Sequence, residues 1–186
     1  MFMTKKLIQI RFHGRGGQGT VTLAELVALA GFYMGYETQS FPSFGVERRG
    51  APVLAFARIF DQPIRLREQI YEPDFLIIQD KTLLGVDSSI EKGLSKTKMV
   101  IVNMENNDSA IFKNLKVINI PATEMALRII GKPFVNTILL GAFGSASGLL
   151  SLESMQKAIT EKIKREVVDL NLRAMEEAYN FAKNKI

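Results

Sequence analysis

Residues 7–35 read LIQIRFHGRGGQGTVTLAELVALAGFYMG, and this stretch decides the fold. Leu7 to His13 alternates apolar and polar side chains, the period of a strand with two unlike faces. Four glycines then crowd into six residues, Gly14-Arg15-Gly16-Gly17-Gln18-Gly19. From there to residue 35, Val21, Leu23, Ala24, Leu26, Val27, Ala30 and Met34 recur at the spacing of a mostly buried helix. Strand, glycine turn and helix in that order open an α/β domain.

Further along, Ala51 to Phe60 reads as a strand, Asp61-Gln62-Pro63 as a turn, and Ile64 to Arg67 as the return strand of an edge hairpin. The runs Phe75 to Gln79, Met99 to Val102 and Lys116 to Ile120 are apolar on consecutive positions, which marks strands buried on both faces. Residues 81–95 and 105–114 are expected to hold helices or irregular crossovers, and 122–131 a helix ended by Gly131-Lys132-Pro133. Gly141 and Gly144 belong to a small-residue helix face suited to close backbone packing. Ser151 can cap a helix with the apolar face Leu152, Met155, Ile159 and Ile163, and a last helix shows the stripe Val167, Leu170, Ala174, Ala178 and Phe181. Residues 36–50, YETQSFPSFGVERRG, follow neither period and read as a long loop. The expectation is one three-layer α/β domain over residues 1–186, with a mixed, mostly parallel sheet, an antiparallel hairpin at one edge and helices on both faces.

The chain has 186 residues, 47% of them hydrophobic, with 24 Lys and Arg against 19 Asp and Glu for a net charge of +5. That composition is globular and excludes disordered or coiled-coil readings. Zero cysteines remove disulfides, thiolate zinc sites, thiol nucleophiles and cysteine-ligated iron–sulfur clusters from this chain. A single histidine, His13, removes paired-histidine metal motifs and makes a triad built on it improbable. No catalytic or metal-ligating residue is therefore expected. The basic residues are too scattered for nucleic acid, so the positive balance points to an anionic ligand or an acidic partner face. The first residues lack a signal-peptide pattern, and the uncharged stretch Pro133 to Leu152 is too polar for a membrane span, which leaves the cytoplasm as the expected compartment.

Gly14 to Gly19 satisfies G-x-G-x-x-G after a strand and before a helix. Glycines permit left-handed backbone and close approach, while a helix start presents unpaired N–H groups and a positive dipole end. Arg15 adds a planar charged donor beside them, so phosphate or carboxylate suits the spot. A P-loop is rejected because Thr20-Val21, not Lys-Ser or Lys-Thr, follows Gly19. A dinucleotide site would need an acidic residue closing a second strand, and Glu37 instead precedes an irregular segment. His13 reads chiefly as a hydrogen-bonded structural histidine. Arg48 and Arg49 offer either an ion pair with Glu47 plus a solvated arginine or an anion clamp facing the glycine loop. Phe41, Phe44 and Val46 are too apolar for a solvated loop, so either a partner covers them or the loop packs on itself.

The segments IRFHGRGGQGTVTLAELVALAG, SFPSFGVERRGAPVLAFARI and NTILLGAFG closely resemble the gamma subunits of pyruvate:ferredoxin oxidoreductases (pyruvate synthases), within the 2-oxoacid oxidoreductases. The glycine turn is shared across 2-oxoacid enzymes, whereas Phe44 to Pro52 resembles the pyruvate type. The resemblance implies a complex that converts pyruvate and coenzyme A to acetyl-CoA and CO2, passing electrons to ferredoxin. It implies thiamine diphosphate and Mg²⁺ between alpha and beta subunits, and iron–sulfur clusters on beta and delta subunits. This chain would pack on the thiamine-bearing core and face coenzyme A, with Gly14, Arg15, Gly16, Gly17, Gln18, Gly19, Thr20, Arg48 and Arg49 as ligand or interface positions. The same subunit for 2-oxoglutarate or an aromatic or branched-chain oxoacid, or a stand-alone nucleotide-binding module, are the rival readings.

Overall fold

The computed structural model describes residues 6–43, 50–105, 112 and 114–185. Its strands are β1 (Ile8–Arg15), β2 (Glu37–Pro42), β3 (Pro52–Phe60), β4 (Phe75–Ile78), β5 (Met99–Asn103) and β6 (Lys116–Ile120). They form one sheet in the order β2-β3-β1-β4-β5-β6. β3 runs antiparallel to both neighbours, while β1, β4, β5 and β6 are parallel in series. The α-helices are α1 (Thr20–Tyr33), α2 (Ala122–Ile129), α3 (Asn136–Ser147), α4 (Leu152–Lys162) and α5 (Val168–Lys183).

The five α-helices of the described residues all pack on one face of the sheet. Ile10 and Phe12 of β1, Ala57 of β3, Phe75 and Ile77 of β4 and Ile101 of β5 point into that core. The α3 stretch from Thr137 to Gly144 is buried on every side because the sheet lies below it and α1, α4 and α5 enclose the rest. Continuous hydrophobicity in that stretch is thus the mark of a central helix, as its sequence suggests. Gly141 permits this packing: a Cβ there would lie closer than 3.0 Å to the Met175 carbonyl oxygen of α5.

Among the described residues, the elements named on the other face are the 3₁₀ turns at Lys81–Leu83 and Leu94–Lys96 within irregular crossovers. Leu76, Ile78, Val100 and Val102 meet Leu83, Ile90 and Phe112 there. Beside that small apolar cluster the same face holds Arg11, His13 and Arg58, each less than 5% exposed. The polar side of the alternating β1 pattern is therefore buried, covered by the chain between residues 64 and 93. Arg11 donates to the carbonyls of Tyr71, Ser89, Ile90 and Lys92. Arg58 donates to Gln9 and Gln39 side chains and to the Glu68 carbonyl, with the Phe41 ring 5.1 Å from its guanidinium carbon.

Two elements differ from the reading of the sequence. Residues 37–42 are an edge strand and not loop, and Ile64 to Arg67 form no strand. The antiparallel edge is the pair β2–β3, in the register Glu37↔Phe60 to Pro42↔Ala55. The polar sequence of β2 hides its period: Thr38 leans on Gly31 of α1, while Phe41 stacks 5.1 Å from Phe56 on the opposite face. In α5 the buried stripe is Asn171, Ala174, Met175, Ala178 and Ala182, so the expected Val167 and Leu170 fall outside the core while Phe181 packs half-buried against it.

Candidate functional site

The C-terminal ends of the parallel strands are where open α/β sheets form ligand crevices. Here β1 ends at Arg15, and its successor connections leave in opposite directions, toward β2 and β3 on one side and toward β4 on the other. Gly16 to Gly19 turn the chain at that divergence, and Thr20 starts α1. Gly17 has φ 93° and Gly19 φ 73°, left-handed conformations that other residues rarely adopt. No side chain caps α1 and no acidic residue stands in its first turn, so its N–H groups and dipole end remain for an external partner. Arg15, Gly16, Gly17, Gly19, Thr20, Val21 and Val53 line an open hollow of about 330 Å³ there.

Thr20 is 3% exposed, and its hydroxyl has no partner in the protein. The Gln79 side-chain oxygen is likewise buried and unpartnered. Both crowd against Gly14, where a Cβ would come closer than 3.0 Å to each. The Thr20 hydroxyl is a spare donor buried against Gly14 behind the hollow, whereas the Gln79 oxygen can only accept. A second crevice of about 250 Å³ opens beside the turn between the ends of β4 and β6, lined by Gln18, Gln79, Asp80, Asn103, Thr123 and Glu124 among others.

Arg15 and Gln18 are engaged within the protein. Arg15 Nε and Nη2 donate to Thr82 Oγ1 at 3.0 and 2.8 Å, and Nη1 donates to the Gly50 carbonyl at 3.0 Å. Gln18 accepts from the Arg15 N–H at 2.8 Å and donates to Asp80 at 2.8 Å. Burial opposes ionisation of Asp80, yet hydrogen bonds from Thr82 and Gln18 and the Arg15 charge outweigh it and hold the carboxyl below its ordinary range. Asp80, Thr82 and Gln79 drew no attention in the sequence because only the β1–β4 pairing brings them to the turn. Arg48 and Arg49, with Phe44 and Val46, lie outside the described residues. The chain that follows them is tied to the turn, since Gly16 donates to the Ala51 carbonyl and accepts from Gly50.

His13, at the end of the same strand, is fully buried with Nδ1 3.1 Å from Asp87 Oδ2. Burial lowers its pKa, and hydrogen bonding to His13 holds the Asp87 carboxyl well below its usual range. It is the structural histidine the sequence suggests. Glu37 starts β2 at the opposite end of the sheet from the turn, with β3 between it and β1, which removes the dinucleotide reading. Among the described residues no group of three His, Asp or Glu side chains is placed to hold a metal, and no helix is long and apolar enough to cross a membrane.

Strand, left-handed glycine turn and uncapped helix define an α/β domain with the geometry of an anion-accepting turn. The chain belongs to the pyruvate ferredoxin/flavodoxin oxidoreductase family, whose model matches residues 9–181. It is 50% identical over 174 residues to the pyruvate synthase subunit PorC of Methanocaldococcus jannaschii, covering 94% of this chain and 96% of that one. It is 48% identical over 179 residues to the pyruvate/ketoisovalerate oxidoreductases common subunit gamma of Thermococcus kodakarensis, covering 94% and 96%. The crystal structure of pyruvate oxidoreductase subunit PORC from Thermotoga maritima superposes with a TM-score of 0.82 at 35% identity, over 95% of this chain and 97% of that one. This chain is accordingly a gamma-type subunit of a 2-oxoacid:ferredoxin oxidoreductase complex.

Proposed function

We propose that the complex acts on pyruvate, and that this subunit packs on a thiamine diphosphate-bearing core and offers its glycine turn to coenzyme A. Alpha, beta and delta subunits would supply the thiamine diphosphate, Mg²⁺ and iron–sulfur clusters, ferredoxin would take the electrons, and the assembly would be cytoplasmic. The observation that carries the coenzyme A reading is the uncapped start of α1 at the rim of the hollow, with the buried, unpartnered Thr20 hydroxyl behind it. Phosphate oxygens accept hydrogen bonds from such N–H and O–H donors, and the +5 net charge favours a polyanionic ligand. Arg48 and Arg49 belong to the proposal as further anion or interface contacts. In this reading the chain binds and orients one substrate while the reacting atoms sit on its partners.

A second reading of the oxoacid has specific support. A relative 48% identical is named as common to pyruvate and ketoisovalerate oxidoreductases, so a gamma subunit of this type need not choose the oxoacid. Kinetics of the purified native complex with pyruvate, 2-oxoisovalerate and 2-oxoglutarate separate the readings. For the coenzyme A site the test is Gly19→Val in the assembled complex. Its Cβ would force a left-handed valine and meet the Asn136 side-chain nitrogen at 2.5 Å. The expected result is a KM for coenzyme A raised at least tenfold, about 1.4 kcal/mol of lost binding, with the KM for pyruvate unchanged. An unchanged KM for coenzyme A removes the assignment.

A further inference from the structure

We propose that Asp80 is a positioning residue for the coenzyme A-facing turn, acting with Arg15 as a brace that fixes the turn against β3 and the segment after β4. The inference rests on the coenzyme A reading above and concerns which groups bind and which only hold them. Arg15 has the charge expected of a phosphate ligand. Its geometry is that of a tie: Nε and Nη2 reach Thr82, Nη1 reaches Gly50, and Asp80 Oδ2 lies 3.3 Å from Nε. The Asp80 side chain is 15% exposed and fully engaged. Its Oδ1 accepts from the Thr82 N–H at 2.9 Å and hydroxyl at 2.6 Å, while Oδ2 accepts from Gln18 Nε2 at 2.8 Å.

The consequences follow from topology. Three separate pieces of chain meet at the Arg15–Asp80 pair: the glycine turn through Gln18 and Arg15 itself, the entry to β3 through the Gly50 carbonyl held by Arg15, and the 3₁₀ turn at Lys81–Leu83 through Thr82. With the Arg15 cation paired in this way, the groups left for an anion are the main-chain N–H groups at the uncapped start of α1. A turn holding four glycines has little stiffness of its own, so the brace supplies the preorganisation that tight anion binding requires.

The test uses the assembled complex carrying Asp80→Asn, Arg15→Met, or both, with Gly19→Val in parallel and subunit stoichiometry checked for each. Asp80→Asn keeps the size of the side chain while removing the charge that faces Arg15 and one acceptor. A shared brace is expected to raise the KM for coenzyme A about tenfold in each single variant, with kcat within about twofold and the KM for pyruvate unchanged. The double variant is expected to be no worse than either single one, because the second change removes a tie already broken. Hydrogen exchange in the peptide covering residues 14–20 is expected to quicken in both singles, which an arginine acting only on the ligand would not produce in the apo complex. The proposal is overturned if Arg15→Met raises the KM while Asp80→Asn leaves it unchanged, since Arg15 then touches the ligand itself. It is also overturned if the two effects multiply. If both variants quicken exchange while Gly19→Val and both leave coenzyme A kinetics at wild type, the brace stands as structure and the coenzyme A reading beneath the proposal is what fails.

Discussion

Gly141→Val is expected to destabilise the subunit by about 4–5 kcal/mol, a large part of the roughly 5–15 kcal/mol that holds a domain of this kind together. Glycine inside a helix is ordinarily a weakness, and replacing it by valine should add about 0.3–0.5 kcal/mol through helix propensity. That gain is outweighed at Gly141. The introduced Cβ would strike the Met175 carbonyl oxygen and lie 2.9 Å from its carbonyl carbon, and main chain cannot swing aside as a side chain can. α3 and α5 would have to part along their whole length, opening voids among Leu139, Phe143 and Ala178. A thermal midpoint lowered by more than about 10 °C, or loss of soluble subunit, is the expected outcome. Gly144→Ala is the control. Its Cβ would clash only with the flexible end of the Met155 side chain and make an ordinary contact with Leu150 Cβ at 3.6 Å, so a cost under about 1.5 kcal/mol is expected in denaturant unfolding.

Arg11→Met should cost nearly as much, about 3–5 kcal/mol, though methionine fits the space and adds apolar surface. The reason lies in what the guanidinium leaves behind. Tyr71, Ser89, Ile90 and Lys92 point carbonyls at it from two separate crossover segments, and each would lose a donor, in a fully buried bond at Ile90 and in partly buried ones at the other three. Burial pulls the Arg11 pKa down to about 10, with Asp87 partly opposing the shift, so the side chain is still charged at neutral pH. Loss of the tie is expected to free residues 71–92 before the rest of the fold. Equilibrium unfolding of the variant, with hydrogen exchange resolved over that segment, checks both the size and the location. An effect below about 1 kcal/mol would mean the crossovers are held by Leu83 and Ile90 alone.

What could be read from the sequence was whatever periodicity encodes. The strand and helix around the glycine turn, the doubly buried strands at Phe75 and Met99, and the central helix with Gly141 all announce themselves through apolar spacing, whereas the strand at Lys116, read as buried on both faces, is an edge strand with only Ile118 and Ile120 buried. β2 did not, because Glu37, Thr38, Gln39 and Ser40 are polar on both faces and only pairing with β3 makes them a strand. Nor could alternation in β1 reveal that its polar side is interior. A buried arginine and a solvated one look alike in sequence, and the carbonyls that satisfy Arg11 come from 60 to 81 residues away. The candidate site divides in the same manner. Gly14 to Thr20 were visible as a motif, whereas Asp80 and Thr82 enter only through the strand order, and with them the reason that Arg15 is engaged inside the protein.

The central claim is that this subunit meets coenzyme A at the start of α1. A structure of the assembled complex with coenzyme A bound tests it most directly. Phosphate oxygens of the ligand about 3 Å from main-chain N–H groups between Gly17 and Val21, with the Arg15–Asp80 contacts intact, are the expected result. Coenzyme A seated entirely on other subunits, with the hollow beside Thr20 and Val53 filled by a partner's side chains or by solvent, would contradict it.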